Sequence, residues 1–123
     1  MTCTFSWGSK PGMPTLRILA LAVVALPLFL SPAAAEDVEA TLTIKDHKFD
    51  PVELVVLAGQ RIKLTVKNLD STPEEFESHE LRREKVIPGG AEAVIYIGPL
   101  KAGTYKYFGE FHEDTAQGRI VAK

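Results

Sequence analysis

Two stretches of the chain alternate with a strict period of two. Val38, Ala40, Leu42 and Ile44 interleave with Glu39, Thr41, Thr43 and Lys45, and Ile62, Leu64 and Val66 interleave with Arg61, Lys63, Thr65 and Lys67. Successive side chains of a strand point to opposite faces, so each stretch offers one face to a core and one to water. A helix would scatter the same residues around its circumference. Further short runs at Glu53–Leu57, Leu81–Ile87, Ala91–Ile97, Thr104–Phe111 and Gly118–Ala122 are bounded by turn chemistry such as Pro88-Gly89-Gly90 and Gly98-Pro99. The expected fold is all-β, a Greek-key antiparallel β-sandwich of about seven strands. Its predicted core includes Val38, Leu42, Ile44, Phe49, Leu54, Val56, Ile62, Leu64, Val66, Val86, Ile95, Tyr105, Tyr107 and Ile120.

None of this pattern reaches residues 1–35. There Lys10 and Arg17 are the only charges, followed by the apolar run Ile18–Leu30 and then Ser31-Pro32-Ala33-Ala34-Ala35. Basic, apolar and small-residue regions in that order are the layout of a secretory signal peptide. The run makes about 20 Å of helix, against the roughly 30 Å of a bilayer's hydrocarbon layer, and Pro27 interrupts it. Residues 1–35 are therefore read as a signal, cut before Glu36, with residues 36–123 as one exported mature domain. Met13 offers a second start position, and Cys3 leaves with the signal.

The mature segment carries 12 basic and 16 acidic residues, net −4, and has no cysteine, methionine or tryptophan. Without a positive excess, electrostatic binding to nucleic-acid phosphates has no basis. Without a thiol, neither a disulfide nor a paired-cysteine zinc site can form.

Two acidic segments carry the remaining chemistry. Asn68–Glu80 gathers Asp70, Glu74, Glu75, Glu77 and Glu80 beside His79, and Glu110–Gln117 surrounds His112 with Glu110, Glu113 and Asp114. Either alone reads as a solvated loop. Together they place two of the three histidines and eight of the 16 acids in two short segments. If the strand entering the second segment stays regular through Phe111, Glu110 and His112 share one side of it.

The chain resembles the cupredoxins in Phe49-x-Pro51, in Ala58-Gly59 before Ile62-x-Leu64-x-Val66, and in Asn68-x-Asp70. The resemblance continues through Gly103-x-Tyr105-x-Tyr107, His112 and Gly118-x-Ile120. In that family the resemblance implies metal ligands at four positions: a His where this chain has Glu74, a Cys where it has Gly109, a His at His112, and a Met near Gln117. Only His112 keeps the usual ligand type. A blue-copper centre needs a copper–thiolate bond, which the mature chain cannot supply. One imidazole among carboxylates suits Cu(II), Fe(II), Fe(III) or Mn(II) instead. The expected metal residues are Glu74, Glu75, Glu77, Glu110 and His112, with His47, Glu113 and Gln117 as further metal or supporting positions.

The runs Thr72–Ser78, Glu84–Gly90 and Phe111–Gly118 are similar to EfeO-type cupredoxin-like domains of bacterial iron uptake. That resemblance implies a periplasmic protein binding copper and/or iron that assists capture or oxidation of ferrous iron, with a membrane iron permease and other uptake components as partners. Two other readings compete with it: a periplasmic copper-binding or copper-resistance protein, and a metal-free sandwich that only contacts other proteins. The cupredoxin resemblance implies that the connection through Asn68–Glu80 crosses the sandwich and brings Glu74 and Glu75 to His112, and twelve or so extended residues span up to about 40 Å, enough for that crossing.

Overall fold

A computed structural model describes residues 2–4, 8–15, 27 and 31–123. The chain divides into two units, Met1–Pro32 and Ala33–Lys123. The described residues of the first carry no helix or strand, and Cys3 is exposed. Apart from Pro27, the apolar run of the expected signal lies outside the described residues. Among the described residues no helix is long and apolar enough to cross a membrane.

The second unit is a sandwich of nine strands: β1 (Val38–Lys45), β2 (Lys48–Asp50), β3 (Glu53–Val56), β4 (Ile62–Asn68), β5 (Glu74–Ser78), β6 (Arg83–Ile87), β7 (Glu92–Ile97), β8 (Gly103–Gly109) and β9 (Gln117–Ala122). One sheet has the order β2-β1-β4-β7, the other β3-β9-β8-β5-β6. Both are mixed, because β1 pairs parallel with β4 and β3 parallel with β9. The all-β sandwich is as expected. The parallel pairs arise because the chain changes sheets after β2 and again after β3, so β4 returns alongside β1 in the same direction.

The alternating stretches behave as their pattern dictates: Leu42, Ile44, Ile62, Leu64 and Val66 are fully buried. Two strands escape the pattern. β2 is only three residues long, and β5 lies inside the segment read as an acidic loop. Its sequence EEFES has a single apolar residue, Phe76, yet it pairs with both β6 and β8. Val86, expected in the core, is 47% exposed because it stands opposite Glu75 on the outer face of this sheet. Ile87, the next residue, is buried in its place.

Phe49 of β2, Phe76 of β5 and Tyr107 of β8 meet in the core, with Tyr107 5.0 Å from Phe49 and 5.1 Å from Phe76 between ring centroids. Such pairs contribute about 0.5–1.5 kcal/mol beyond the area they bury. The cluster ties together the three strands whose ends carry the candidate site.

Candidate metal centre

The turn between β1 and β2 is Asp46-His47, and both residues have positive φ, 51° and 57°. A two-residue hairpin of this kind favours Asn-Gly because side chains resist that conformation. Here the cost is offset from another strand: the backbone N–H groups of Asp46 and His47 donate to Asp70 Oδ1 (2.8 Å) and Oδ2 (3.0 Å). These bonds, the one from His47 first, hold the Asp70 carboxyl below the usual carboxylate range. Asp70 is itself set by Asn68, whose Oδ1 accepts from Asp70 N (3.0 Å) while its amide donates to the carbonyls of Thr72 (2.8 Å) and Ile87 (3.1 Å). The Asn68-x-Asp70 motif thus shapes the link that carries the chain across to β5, and it orients His47 as well.

β5 opens with Glu74, which is fully buried. Its Oε1 accepts from the backbone N–H groups of Glu75 (3.0 Å) and Phe111 (3.0 Å), and its Oε2 lies 2.5 Å from Nδ1 of His112. The space for this carboxylate comes from Gly109. A Cβ there would lie 2.8 Å from Oε1 of Glu74 and 2.6 Å from Cβ of Ala116. Gly109 has ordinary extended torsions, φ −92° and ψ 111°, so the position requires the absence of a side chain and not an unusual backbone. The carboxylate of Glu74 fills the cradle that the family resemblance assigns to a cysteine thiolate.

After Gly109 the strand does not stay regular. Glu110–His112 form a 3-10 turn, and the His112 carbonyl then accepts from the N–H groups of Thr115 (3.1 Å) and Ala116 (2.8 Å) as the chain turns toward β9. Because of that turn Glu110 and His112 do not share a side. His112 turns to Glu74 and stacks on His47, with ring centroids 3.6 Å apart and planes inclined by 14°. Donor atoms of His47, Glu74 and His112 all lie within 4.8 Å of one another. Glu110 instead joins Glu75 and Glu77, a separate group with the same spread.

The expected ligand set therefore splits in two. The reason is the strand itself: Glu74 faces inward and Glu75 and Glu77 face outward on β5, a consequence legible only once the segment is known to be a strand. His47 belongs to the inner group. Its sequence neighbours gave no sign of that, since the Asp70 clamp that holds the turn comes from 23 residues away. Of the remaining candidates, Gln117 directs its amide to the Glu113 carbonyl (2.9 Å), and Glu113 is exposed beside a shallow depression that His47 and His112 also line. Neither belongs to a group of convergent donors. His79 lies 3.2 Å from Glu77 and is exposed.

The inner donor set fits a cation. Two imidazoles and a carboxylate converge at the end of the sandwich, with hard and borderline donors suited to Cu(II) or iron and no sulfur within Ala33–Lys123. Imidazole lone pairs lie in the ring plane, so two stacked rings cannot both point at one ion. Joint coordination requires the ring of His47, whose side chain is 42% exposed, to turn.

The cupredoxin-like domain family model matches residues 18–122. The chain belongs to the cupredoxin-like family. It is 49% identical over 83 residues to the uncharacterized protein RP394 of Rickettsia prowazekii (strain Madrid E), an alignment covering 68% of this cupredoxin-like chain and 66% of that protein, just under two thirds of its length. Among solved structures it is similar to auracyanin A, a "blue" copper protein of Chloroflexus aurantiacus, with TM-score 0.61, 17% identity, and coverage of 72% of this chain and 100% of that one. Amicyanin from Paracoccus versutus gives TM-score 0.54 at 18% identity, over 73% and 84% of the two chains. A copper binding protein solved in its apo form gives 0.61 at 16%, over 69% and 86%. At these identities the likeness is one of fold.

Proposed function

We propose that this cupredoxin-like protein is exported by its N-terminal signal and binds copper or iron at His47, Glu74 and His112, assisting the capture or oxidation of ferrous iron for a membrane permease. The observation that carries the reading is the carboxylate of Glu74 in the cradle at Gly109, hydrogen-bonded to His112. A cupredoxin site converted from sulfur to oxygen donors favours the higher oxidation state of its metal, because hard anionic oxygen stabilises Cu(II) over Cu(I) and Fe(III) over Fe(II). A bound copper would supply a one-electron acceptor.

The chain's own residues supply position and charge. Two backbone N–H groups fix Oε1 of Glu74, so Oε2 is the oxygen left for His112 or a cation. His112, with its side chain 30% exposed, connects that buried oxygen to solvent. The similarity of Thr72–Ser78 and Phe111–Gly118 to EfeO-type domains supports the iron-uptake role and the periplasmic location.

A second reading, a copper-binding protein without a part in iron uptake, is favoured by the copper named in the structural neighbours. The two separate on metal content and on aerobic Fe(II) consumption, measured for the wild type, Glu74→Ala and His112→Ala. Iron uptake predicts that Fe(II) is bound or oxidised by the wild type and by neither variant. Retention of Cu(II) with no effect on iron assigns the copper role, and equal, negligible binding of both metals by all three proteins overturns both readings.

A further inference from the structure

The two imidazoles of the inner site are held very differently. Nδ1 of His112 lies 2.5 Å from Oε2 of Glu74, and the backbone N–H groups of Glu75 and Phe111 fix the other oxygen of that buried carboxylate. His112 is therefore held by a group that is itself held. His47 is fixed only as far as its backbone. Its N–H donates to Asp70 Oδ2 (3.0 Å) beside the matching bond from Asp46, and Lys45 and Lys48 pair on either side of the turn. Its ring Nδ1 lies 3.6 Å from the same oxygen, beyond hydrogen-bond reach, and its side chain is 42% exposed. Among the described residues the recorded partner of this ring is the ring of His112, 3.6 Å away and nearly parallel.

A stack of this kind weights one ring position by only about two- to tenfold in an equilibrium constant, and exposed side chains change rotamer in picoseconds to nanoseconds. The stack is therefore no slow gate over the site; its consequence lies at equilibrium. Stacked rings hold their in-plane lone pairs in parallel planes, so His47 has to leave the stack before its nitrogen can meet a cation held by Glu74 and His112. There is room for the move: a depression of about 420 Å³, lined by His47, Phe111, His112 and Thr115 among others, opens beside both rings. What the move gains depends on the ion. Cu(II) gains strongly from an imidazole, while Mn(II), suited by carboxylate and water, gains little.

We propose that His47 determines the metal preference of this centre as a ligand with two positions: stacked on His112 in the metal-free protein, and turned to the ion when that ion favours imidazole nitrogen, as Cu(II) does. The inference rests on the metal-binding reading above and adds that His47 is a conditional ligand where Glu74 and His112 are fixed ones. With a hard ion such as Mn(II) the His47 ring stays on His112, leaving one carboxylate and one imidazole to hold the ion. Asp70 serves this arrangement by fixing the backbone of the turn and leaving the ring free.

The test uses Cu(II) and Mn(II) on the wild type, His47→Ala and His47→Phe, with His112→Ala as reference and circular dichroism to confirm folding. Both changes at position 47 keep the backbone N–H that bonds to Asp70, and the phenylalanine also keeps a ring that stacks, lacking only the nitrogen donor. In the metal-free wild type and in His47→Phe, NMR should show the His112 ring protons shifted upfield by the neighbouring ring, and in His47→Ala that shift should be absent. The Cu(II) EPR spectrum should carry hyperfine structure from two imidazole nitrogens in the wild type and from one in both variants, with Cu(II) affinity at least tenfold weaker. The excess of Mn(II) needed to displace half of the Cu(II) should fall at least tenfold in both variants. A metal-free wild type without the upfield shift, two nitrogens remaining in His47→Ala, or the same resistance to Mn(II) in the wild type and both His47 variants overturns the inference, and leaves the centre standing when His112→Ala loses Cu(II). A wild type that takes up no Cu(II), or His112→Ala binding it as the wild type does, overturns the centre and the inference with it.

Discussion

Glu74 and Gly109 share a single volume: the carboxylate of one occupies the space where the other would carry a side chain, 2.8 Å from an ideal Cβ. The buried acid, its bond to His112 and the glycine are one structural unit, and a change at any of them is felt at the others.

Gly109→Ala should therefore destabilise the fold by about 1–3 kcal/mol, the range for overfilling a packed interior. The added methyl meets Ala116 as well as Glu74, so relief in one direction is blocked. Thermal denaturation checks the stability, and a Cu(II) titration of the folded fraction should show weakened binding from the displaced carboxylate.

Glu74→Gln preserves the volume and removes the charge. A carboxamide has only one acceptor oxygen, so it cannot both receive the two backbone N–H groups on one side and accept from His112 on the other. A loss of about 1–3 kcal/mol is expected for leaving a buried group without its partner. A cation at this site would take Oε2 of Glu74 from its bond with His112 Nδ1, so Glu74→Gln, which lacks the charged oxygen, should also weaken Cu(II) binding measured by calorimetry.

How much of this could be read beforehand follows from the range of each interaction. The strands with two-residue alternation, β1 and β4, announced themselves because one face is apolar and the other is not. β5 did not, since four of its five residues are polar and its inward positions include Glu74 and Ser78 beside Phe76. The expectation that Glu74 meets His112 came from family resemblance, and the structure places them together. The grouping of Glu75 with them came from treating the segment as a loop, where neighbours can point the same way. His47 was hardest to see, because its place depends on a turn held by Asp70 from 23 residues away.

Asp70→Ala removes both acceptors that hold the Asp46-His47 turn in its left-handed conformation. The turn should loosen, the stack of His47 on His112 should be lost, and stability should fall. The sign of the pH effect follows from the lowered folded-state pKa of Asp70. In the wild type its contribution is present above the ordinary carboxylate range and disappears as pH falls through the lower folded value. Denaturant unfolding at neutral and acidic pH should show that component in the wild type and not in Asp70→Ala.

The outer triad has the opposite sign. Burial first, then the neighbouring carboxylates of Glu84 and Glu110, push Glu75 up to about 7. The folded state then binds more protons than the unfolded state between the ordinary glutamate range and that value. The metal-free protein should accordingly lose stability from this group as pH rises through about 7. Glu75→Gln should flatten that slope and raise the melting temperature at pH 8, about where the penalty is fully developed.

The most direct measurement is the EPR spectrum of Cu(II) added to the purified protein, compared among the wild type, His112→Ala and Glu74→Gln. The account predicts one bound Cu(II) with nitrogen hyperfine structure in the wild type, none of the intense colour of a copper–thiolate bond, and a changed or lost signal in both variants. A wild-type spectrum that persists unaltered in His112→Ala and Glu74→Gln would contradict it.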